Sequence, residues 1–390
     1  IKTTMENNNI SVAYIIPALY YPSGMERVVI LKANYFTEHF GYKVHIILTD
    51  GKGKEPSYPL NPAVQIHQLD INFESLYGQP VYKRALKYLW KQRQYKKKLN
   101  ECLCRIKPDI TISTLRREIN FINKMKDGSV KIGEIHFNKS NYRDFSDNKL
   151  PCFIQKTVKF FWMKQLVRQL HKLKRFIVLT YEDKECWHEL DNVEVIYNPL
   201  SFTTDRFSDC NSKQVIAVGR YTYQKGFDRL VPAWEIVNRR HPEWVLKIYG
   251  GGNREELQAQ VDRLGISESC ILEPSTSDII GKYCESSIFV LSSRYEGFGM
   301  VITEAMSCGV PPVSFDCPCG PKDIIRNGED GLIVKNGNID DLADKICYLI
   351  ENDYIRKEMG KKAIVNVQRF DMDNIALQWK KLINECLKEE

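Results

Sequence analysis

Ser293-Arg-Tyr-Glu-Gly-Phe-Gly-Met-Val-Ile-Thr-Glu-Ala-Met-Ser-Cys-Gly-Val-Pro-Pro312 is bracketed by two apolar runs, Ser287–Leu291 before it and Pro312–Phe315 at its end. Strand, glycine-bearing loop, short helix and strand in that order form the repeating unit of a parallel, doubly wound sheet. Gly297 and Gly299 let the backbone turn tightly and approach a ligand with no Cβ in the way. A helix starting near Met300 turns free N–H groups and the positive end of its dipole toward the loop, which suits a diphosphate. Glu296 stands just before the turn and Glu304 about one turn into the helix, so both are placed to reach one cleft. A carboxylate does not hold phosphate, but it accepts paired hydrogen bonds from a vicinal diol such as a ribose or hexose offers. Alone, two glutamates at this spacing are more often a loop charge and a solvated helix position, so the neighbouring segments decide.

Upstream, Gln214–Val218 is a strand, Gly219-Arg-Tyr-Thr-Tyr-Gln-Lys-Gly226 a polar loop and Asp228–Arg240 a helix with an acidic start. Arg220 and Lys225 place two fixed positive charges at a strand end, where ligands of doubly wound sheets bind. Strands at Trp244–Tyr249, Cys270–Leu272, Ser287–Leu291 and Pro312–Phe315 follow, each with a helix after it. The N-terminal half has the same grammar. Ser11–Ile16 is a buried strand, 17–24 a loop ending in Gly24, Met25–His39 a helix and Lys43–Leu48 a strand. Further strands are predicted at Ile110–Ser113, Lys131–Ile135, Phe176–Leu179 and Val193–Tyr197, and Ser201–Lys213 reads as an irregular linker. No GxGxxG follows the first strand, which argues against a dinucleotide dehydrogenase.

At 390 residues the chain exceeds one ordinary core and suits two α/β domains. With 43% hydrophobic and 27% charged residues it has the composition of a soluble globular protein. No apolar run reaches the ~18–20 residues of a membrane span. The polar stretch Ile1 to Asn9 lacks secretory-signal character. Twelve cysteines are scattered, and Cys102/Cys104 and Cys317/Cys319 have no matching partner pair at zinc-site spacing. Reduced thiols and a cytoplasmic protein are expected. The net charge of +7 hides an asymmetry: residues 1–200 carry 32 Lys+Arg against 20 Asp+Glu, and residues 201–390 carry 24 against 29.

In this combination and order the chain resembles glycosyltransferase family 4 along nearly its whole length. The matching pieces are Pro22-Ser-Gly24, Gly133-Glu-Ile-His136, Ile196-Tyr-Asn-Pro199, Val218-Gly-Arg220 with Lys225-Gly226, and Ile248-Tyr-Gly250 with Gly252. To these add the Glu296/Glu304 pair, Cys319-Gly-Pro-Lys-Asp-Ile324, Asn327-Gly328 and Gly331-Leu-Ile-Val334. The resemblance implies the GT-B fold: two Rossmann-like, doubly wound parallel-sheet domains facing across a cleft. The domains are expected at 1–200 (acceptor-binding) and 201–372 (nucleotide-sugar-binding), with 373–390 a helix packing back on the first. It also implies retaining transfer of a hexose from a nucleoside-diphosphate sugar, expected to be UDP-linked, with no cofactor and no metal. The acceptor would be a saccharide or lipid-linked saccharide of a bacterial surface polysaccharide. A small soluble glycoside as product, or a non-catalytic sugar-nucleotide-binding module, are the alternatives.

Carried over by position, the resemblance gives His136, Glu296, Arg220 and Lys225 catalytic roles. Arg220 and Lys225 would hold the donor diphosphate, His136 and Glu296 would lie by the transferred sugar, and Glu304 would take the ribose hydroxyls. Gly24, Gly219 and the backbone N–H groups of Phe298, Gly299, Met300 and Val301 would complete the donor site. The chain departs from the family at Cys319, where Ser or Thr is expected, at Pro274, where Gly is common, and at Ser23, which replaces a glycine.

Two stretches, Val81–Lys98 and Phe153–Arg175, read as helices mixing cations with aromatics such as Trp90, Phe160, Phe161 and Trp162. Solvated helices on the domain core are one reading. Attachment to an anionic bilayer, on the inner face of the cytoplasmic membrane, is the sharper one. No nucleic-acid motif accompanies the charge, so nucleic acid is not an expected partner.

Overall fold

The computed structural model describes residues 10–78, 80–139, 142 and 152–389; residues 1–9, read above as lacking a signal, lie outside them. The described chain forms two units, 1–178 with 184–196 and 372–390, and 179–183 with 197–371.

In the first unit the elements run β1 (Ser11–Ile16), α1 (Gly24–Phe40), β2 (Lys43–Leu48), β3 (Gln65–Gln68), α2 (Val81–Ile106), β4 (Ile110–Ser113), β5 (Val130–Glu134), α3 (Cys152–Leu170), β6 (Arg175–Val178) and β7 (Val193–Val195), and α4 (Tyr181–Cys186), before β7, is divided between the two units at residue 183. All strands pair in parallel in the order β3-β2-β1-β4-β5-β6-β7. The chain starts in the middle and winds first one way, then the other, so the order reverses between β1 and β4. Strand β1 is buried on both faces, as the apolar run Val12–Ile16 requires. One face meets α2 through Tyr95, Leu99 and Leu103, which leaves most α2 cations in solvent.

The second unit runs β8 (Gln214–Val218), α5 (Phe227–Arg240), β9 (Val245–Tyr249), α6 (Glu255–Arg263), β10 (Cys270–Glu273), α7 (Ile279–Cys284), β11 (Ile288–Leu291), α8 (Met300–Ser307), β12 (Pro312–Asp316), α9 (Pro321–Ile324), β13 (Leu332–Lys335), α10 (Ile339–Glu351) and α11 (Asp353–Val367). Its parallel sheet has the order β10-β9-β8-β11-β12-β13, reversing between β8 and β11. Along β8, Val215 and Ala217 join a core with Phe227, Leu230 and Trp234 of α5, while Ile216 joins another with Ile302, Ala305 and Met306 of α8. The helices after β8 and β11 therefore pack on opposite faces. A last helix, α12 (Met372–Lys388), belongs to the first unit. There Tyr35 Oη donates to Asp373 Oδ1 (2.6 Å), and the Lys32 ammonium lies 4.3 Å from the Trp379 ring centroid.

The structure corrects the sequence reading in four places. β3 and β13 are additional strands. The segment 179–183 and the residues from 197 go with the second unit, so the boundary is not a single cut at 200. α3 ends at Leu170, and Arg175 opens β6, so Lys172, Lys174 and Arg175 are not part of a basic helix. No helix among the described residues is long and apolar enough to cross a membrane.

Trp379 is 1% exposed. Trp379→Ala is expected to cost the first unit about 3–5 kcal/mol, read as a lower urea midpoint; an unchanged midpoint would show that α12 contributes nothing to that core.

Candidate active site

The second unit builds its site where the strand order reverses. The tips of β8 and β11 lie side by side, and the loops leaving them, 219–226 and 292–299, are joined by several contacts. Ser292 Oγ donates to the Lys225 carbonyl (2.9 Å), the Arg294 amide N–H to the Gln224 carbonyl (2.8 Å), and Gln224 Nε2 to the Tyr295 carbonyl (3.1 Å). Gly226 makes the crossing feasible. Its φ is +63°, and a Cβ there would stand 2.2 Å from the Ser292 carbonyl oxygen. Arg294 adds a bidentate ion pair to Asp228 in the first turn of α5 (2.7 and 2.6 Å) and lies 3.8 Å from the Tyr223 ring centroid. The guanidinium beside Asp228 lowers its carboxyl pKa.

On this frame Lys225 Nζ meets Glu296 Oε1 at 2.7 Å, with side-chain exposures of 15% and 7%. Ser293 Oγ donates to the same oxygen (2.6 Å), and the Glu296 amide N–H donates to the Pro318 carbonyl (3.1 Å). Lys225 and Glu296 are thus brought together. Arg220 is exposed, and its guanidinium has no ion pair or hydrogen bond among the described residues. Gly219 continues β8, its N–H donating to the Tyr249 carbonyl (3.0 Å).

Gly299, at φ +97°, precedes α8 and offers no side-chain cap. The first N–H groups of that helix, Met300 and Val301 among them, have no intrahelical acceptor. Phe298 is buried against Tyr197 and Phe370, so only its backbone is available to a ligand. Glu304 is 6% exposed and accepts from Tyr283 Oη of α7 (3.3 Å). The Cys319 backbone, at φ +64°, donates its N–H to Glu182 Oε2 (2.7 Å). Neither the Arg294–Asp228 clamp nor Tyr283 was singled out from sequence; an arginine two residues before Glu296 is the signal that was there.

Gly24 and His136 belong to the first unit. Gly24 is exposed at the first turn of α1. His136 follows β5; its side chain is 4% exposed, and Nε2 lies 3.5 Å from Glu134 Oε1. Burial, with Lys32 and Arg116 nearby, lowers the imidazole pKa to about 4 against the pull of Glu134, so the ring is neutral at neutral pH. Close by, at the carboxyl ends of β1, β2, β4 and β5, opens a cavity of about 1440 Å³. Leu76, Leu115, Phe137 and Trp162 contribute apolar walls, Arg84, Arg93, Lys96, Arg116, Arg117 and Lys124 contribute cations, and Glu26, Asp50 and Glu74 contribute carboxylates. Sequence reading missed it because its lining comes from segments far apart in the chain. No group of three or more His, Cys, Asp or Glu side chains among the described residues converges as a metal site.

Two doubly wound parallel sheets with these strand orders define a GT-B protein. Over 96% of its length the chain superposes on the whole of a Staphylococcus aureus TarM variant solved with Fondaparinux, alpha-GlcNAc-glycerol and UDP, with TM-score 0.75 at 17% identity. More particularly, residues 205–365 match the family Glycosyl transferases group 1. An uncharacterized glycosyltransferase of Haemophilus influenzae is 30% identical over 230 residues, 56% of this chain and 65% of that protein. The amylovoran biosynthesis glycosyltransferase AmsD of Erwinia amylovora is 31% identical over 222 residues, 54% of this chain and 62% of that protein. The match thus spans somewhat under two thirds of these relatives.

Gly226→Ala would force a left-handed Cβ onto the Ser292 carbonyl. It is expected to destabilise the second unit by roughly 2–4 kcal/mol, measured by denaturant unfolding; a loss under ~0.5 kcal/mol would mean that the two loops are not held by this approach.

Proposed function

We propose that the chain transfers a hexose from a UDP-linked donor to a saccharide acceptor of a bacterial surface polysaccharide, with retention and without a metal ion. The observation that carries this reading is the Lys225–Glu296 pair between two strand-tip loops, with the exposed Arg220 guanidinium one loop position from β8. Cations at a strand-order reversal suit an anionic ligand, and the uncapped start of α8 adds N–H donors for phosphate or sugar oxygens. The UDP in the TarM complex and the amylovoran-biosynthesis role in AmsD's name agree with it.

In this mechanism Arg220 and Lys225 offset the charge that develops on the departing diphosphate. Glu304 accepts from the ribose diol, and Glu296 from a hydroxyl of the transferred sugar. The acceptor oxygen attacks the anomeric carbon from the face the phosphate leaves. The C–O bond to phosphate breaks as the new glycosidic bond forms, and the acceptor proton passes to the departing phosphate oxygen. Glu296, held by Lys225 and Ser293, orients the sugar and forms no bond to it.

The acceptor belongs in the first-unit cavity. Its volume of about 1440 Å³ exceeds what a monosaccharide fills, and apolar walls beside six cations, in excess of the carboxylates of Glu26, Asp50 and Glu74, suit an amphiphile with a phosphorylated head, hence a lipid-linked saccharide. The exposed faces of α2 and α3 agree: Leu86, Leu89, Trp90, Phe160 and Phe161 are 57–70% exposed among lysines. Peripheral attachment to the inner face of the cytoplasmic membrane follows, each surface cation contributing roughly 1 kcal/mol on anionic lipid.

A UDP-hexose at about 100 times its Kd is expected to raise unfolding stability by about 2.7 kcal/mol. Arg220→Ala should weaken UDP binding about tenfold, or ~1.4 kcal/mol, without changing stability. Glu296→Gln should bind UDP yet lose at least ~10²-fold in kcat, and wild-type turnover should persist in excess chelator. A non-catalytic binding module would show the thermal shift and no turnover, and a trapped glycosyl ester on Glu296 would refute front-face attack. In flotation, vesicles with anionic lipid should capture the chain at low salt and release it at high salt; indifference to both lipid charge and salt would remove the membrane reading.

A further inference from the structure

Lys32 lies in the middle of α1, on its buried face, and is fully buried. Its ammonium is bonded to both carboxylate oxygens of Glu134 on β5. The rings of Trp379 (4.3 Å to the centroid) and Tyr14 (5.3 Å) flank it. Two residues beyond Glu134, His136 brings Nε2 to 3.5 Å from the same Oε1, buried and without a hydrogen-bond partner among the described residues. One carboxylate thus faces two nitrogen bases and is claimed by one of them. The other charged groups acting on the imidazole are Glu134 itself and Arg116, which has Glu26, Arg117 and Glu118 around it; Tyr14 faces Glu134 from β1.

We propose that Lys32 is a positioning residue for sugar transfer: by engaging both oxygens of Glu134 it keeps that carboxylate from drawing a second proton onto His136, so the imidazole stays uncharged, with its proton on Nε2, 3.5 Å from Glu134 Oε1, and Nδ1 left to accept from a sugar hydroxyl. The claim rests on the reading of His136 as a sugar-contacting residue. The physical logic is a competition for one buried anion. With Lys32 present, the pair is neutral and a second positive charge on His136 is repelled. With Lys32 removed, the isolated carboxylate is relieved most directly by protonating the neighbouring imidazole. An imidazolium has two donors and no acceptor, so its interaction with the hydroxyl is lost.

The test is a histidine-selective NMR titration, with the His136 signal assigned by His136→Gln. In the wild-type chain the ¹⁵N shifts at neutral pH should report the Nε2–H tautomer, with titration near 4. In Lys32→Met the pKa should rise above 7, and in Lys32→Met/Glu134→Gln it should return below 5. Sugar transfer should follow: flat between pH 6 and 8 in the wild type, at least tenfold lower at pH 6 than at pH 8 in Lys32→Met, and flat again in the double variant. An unmoved pKa, a moved pKa with an unaltered pH profile, or an Nδ1–H tautomer in the wild type overturns the proposal. The tautomer measurement decides it even where Lys32→Met does not fold. A wild-type chain that turns over no nucleotide sugar would sink the transferase reading, while the titration would still decide whether Lys32 controls the charge of His136.

Discussion

Everything in the second unit turns on the contact of two loops at the tips of adjacent parallel strands. β8 is the first strand of its sheet and lies in the middle, so the helices that follow β8 and β11 pack on opposite faces. A strand-order reversal of this kind opens a crevice at the carboxyl edge of a doubly wound sheet, which is where its ligands bind. The crevice is useful only if its rims hold still. Here Gly226 lets the β8 loop pass against the Ser292 carbonyl, and the Arg294–Asp228 pair ties the β11 loop to the start of α5. Lys225 and Glu296 inherit their positions from that frame.

The first unit repeats the device with different chemistry. Its strand order reverses between β1 and β4, and the cavity lies at that reversal, lined by Pro17 and Ala18 after β1 and by Leu115 and Arg116 after β4. The second unit offers paired charge, uncapped N–H groups and two buried carboxylates, the surroundings of a polar, anionic ligand. The first offers apolar walls with cations among them, the surroundings of something partly greasy.

Legibility followed how local each signal was. Strands of four or more apolar residues in a row were found from the sequence, because full burial on both faces leaves no other composition. β3, Gln-Ile-His-Gln, was missed: an edge strand half in solvent carries no such run. The glycine-bearing turns and the charges within them, Arg220, Lys225 and Glu296, were legible because loop and helix start are contiguous in the chain. What joins the loops was not. Arg294 and Asp228 are 66 residues apart, and nothing in either segment names the other. Cys319, an oddity in sequence, takes part through its backbone N–H, so the loss of a hydroxyl there leaves that contact intact. Lys32 was overlooked as one lysine among many, although a lysine among Val28, Val29, Ile30, Ala33 and Phe36 on the buried face of a helix is itself a signal.

That lysine also shows how little the ion pairs Lys32–Glu134 and Lys225–Glu296 contribute to stability. Taking an ammonium and a carboxylate out of water costs several kcal/mol per ion, which their attraction at best repays; a well-packed apolar pair of the same volume holds a fold as firmly or more so. Lys32–Glu134 and Lys225–Glu296 are therefore poor devices for holding the sheets together. Glu134 nevertheless ends β5, with His136 Nε2 3.5 Å from its Oε1, and Glu296 stands in the loop that follows β11. On the proposed reading each lysine holds in place a carboxylate near which a sugar would bind, and that placement, rather than stability, is what the pair supplies.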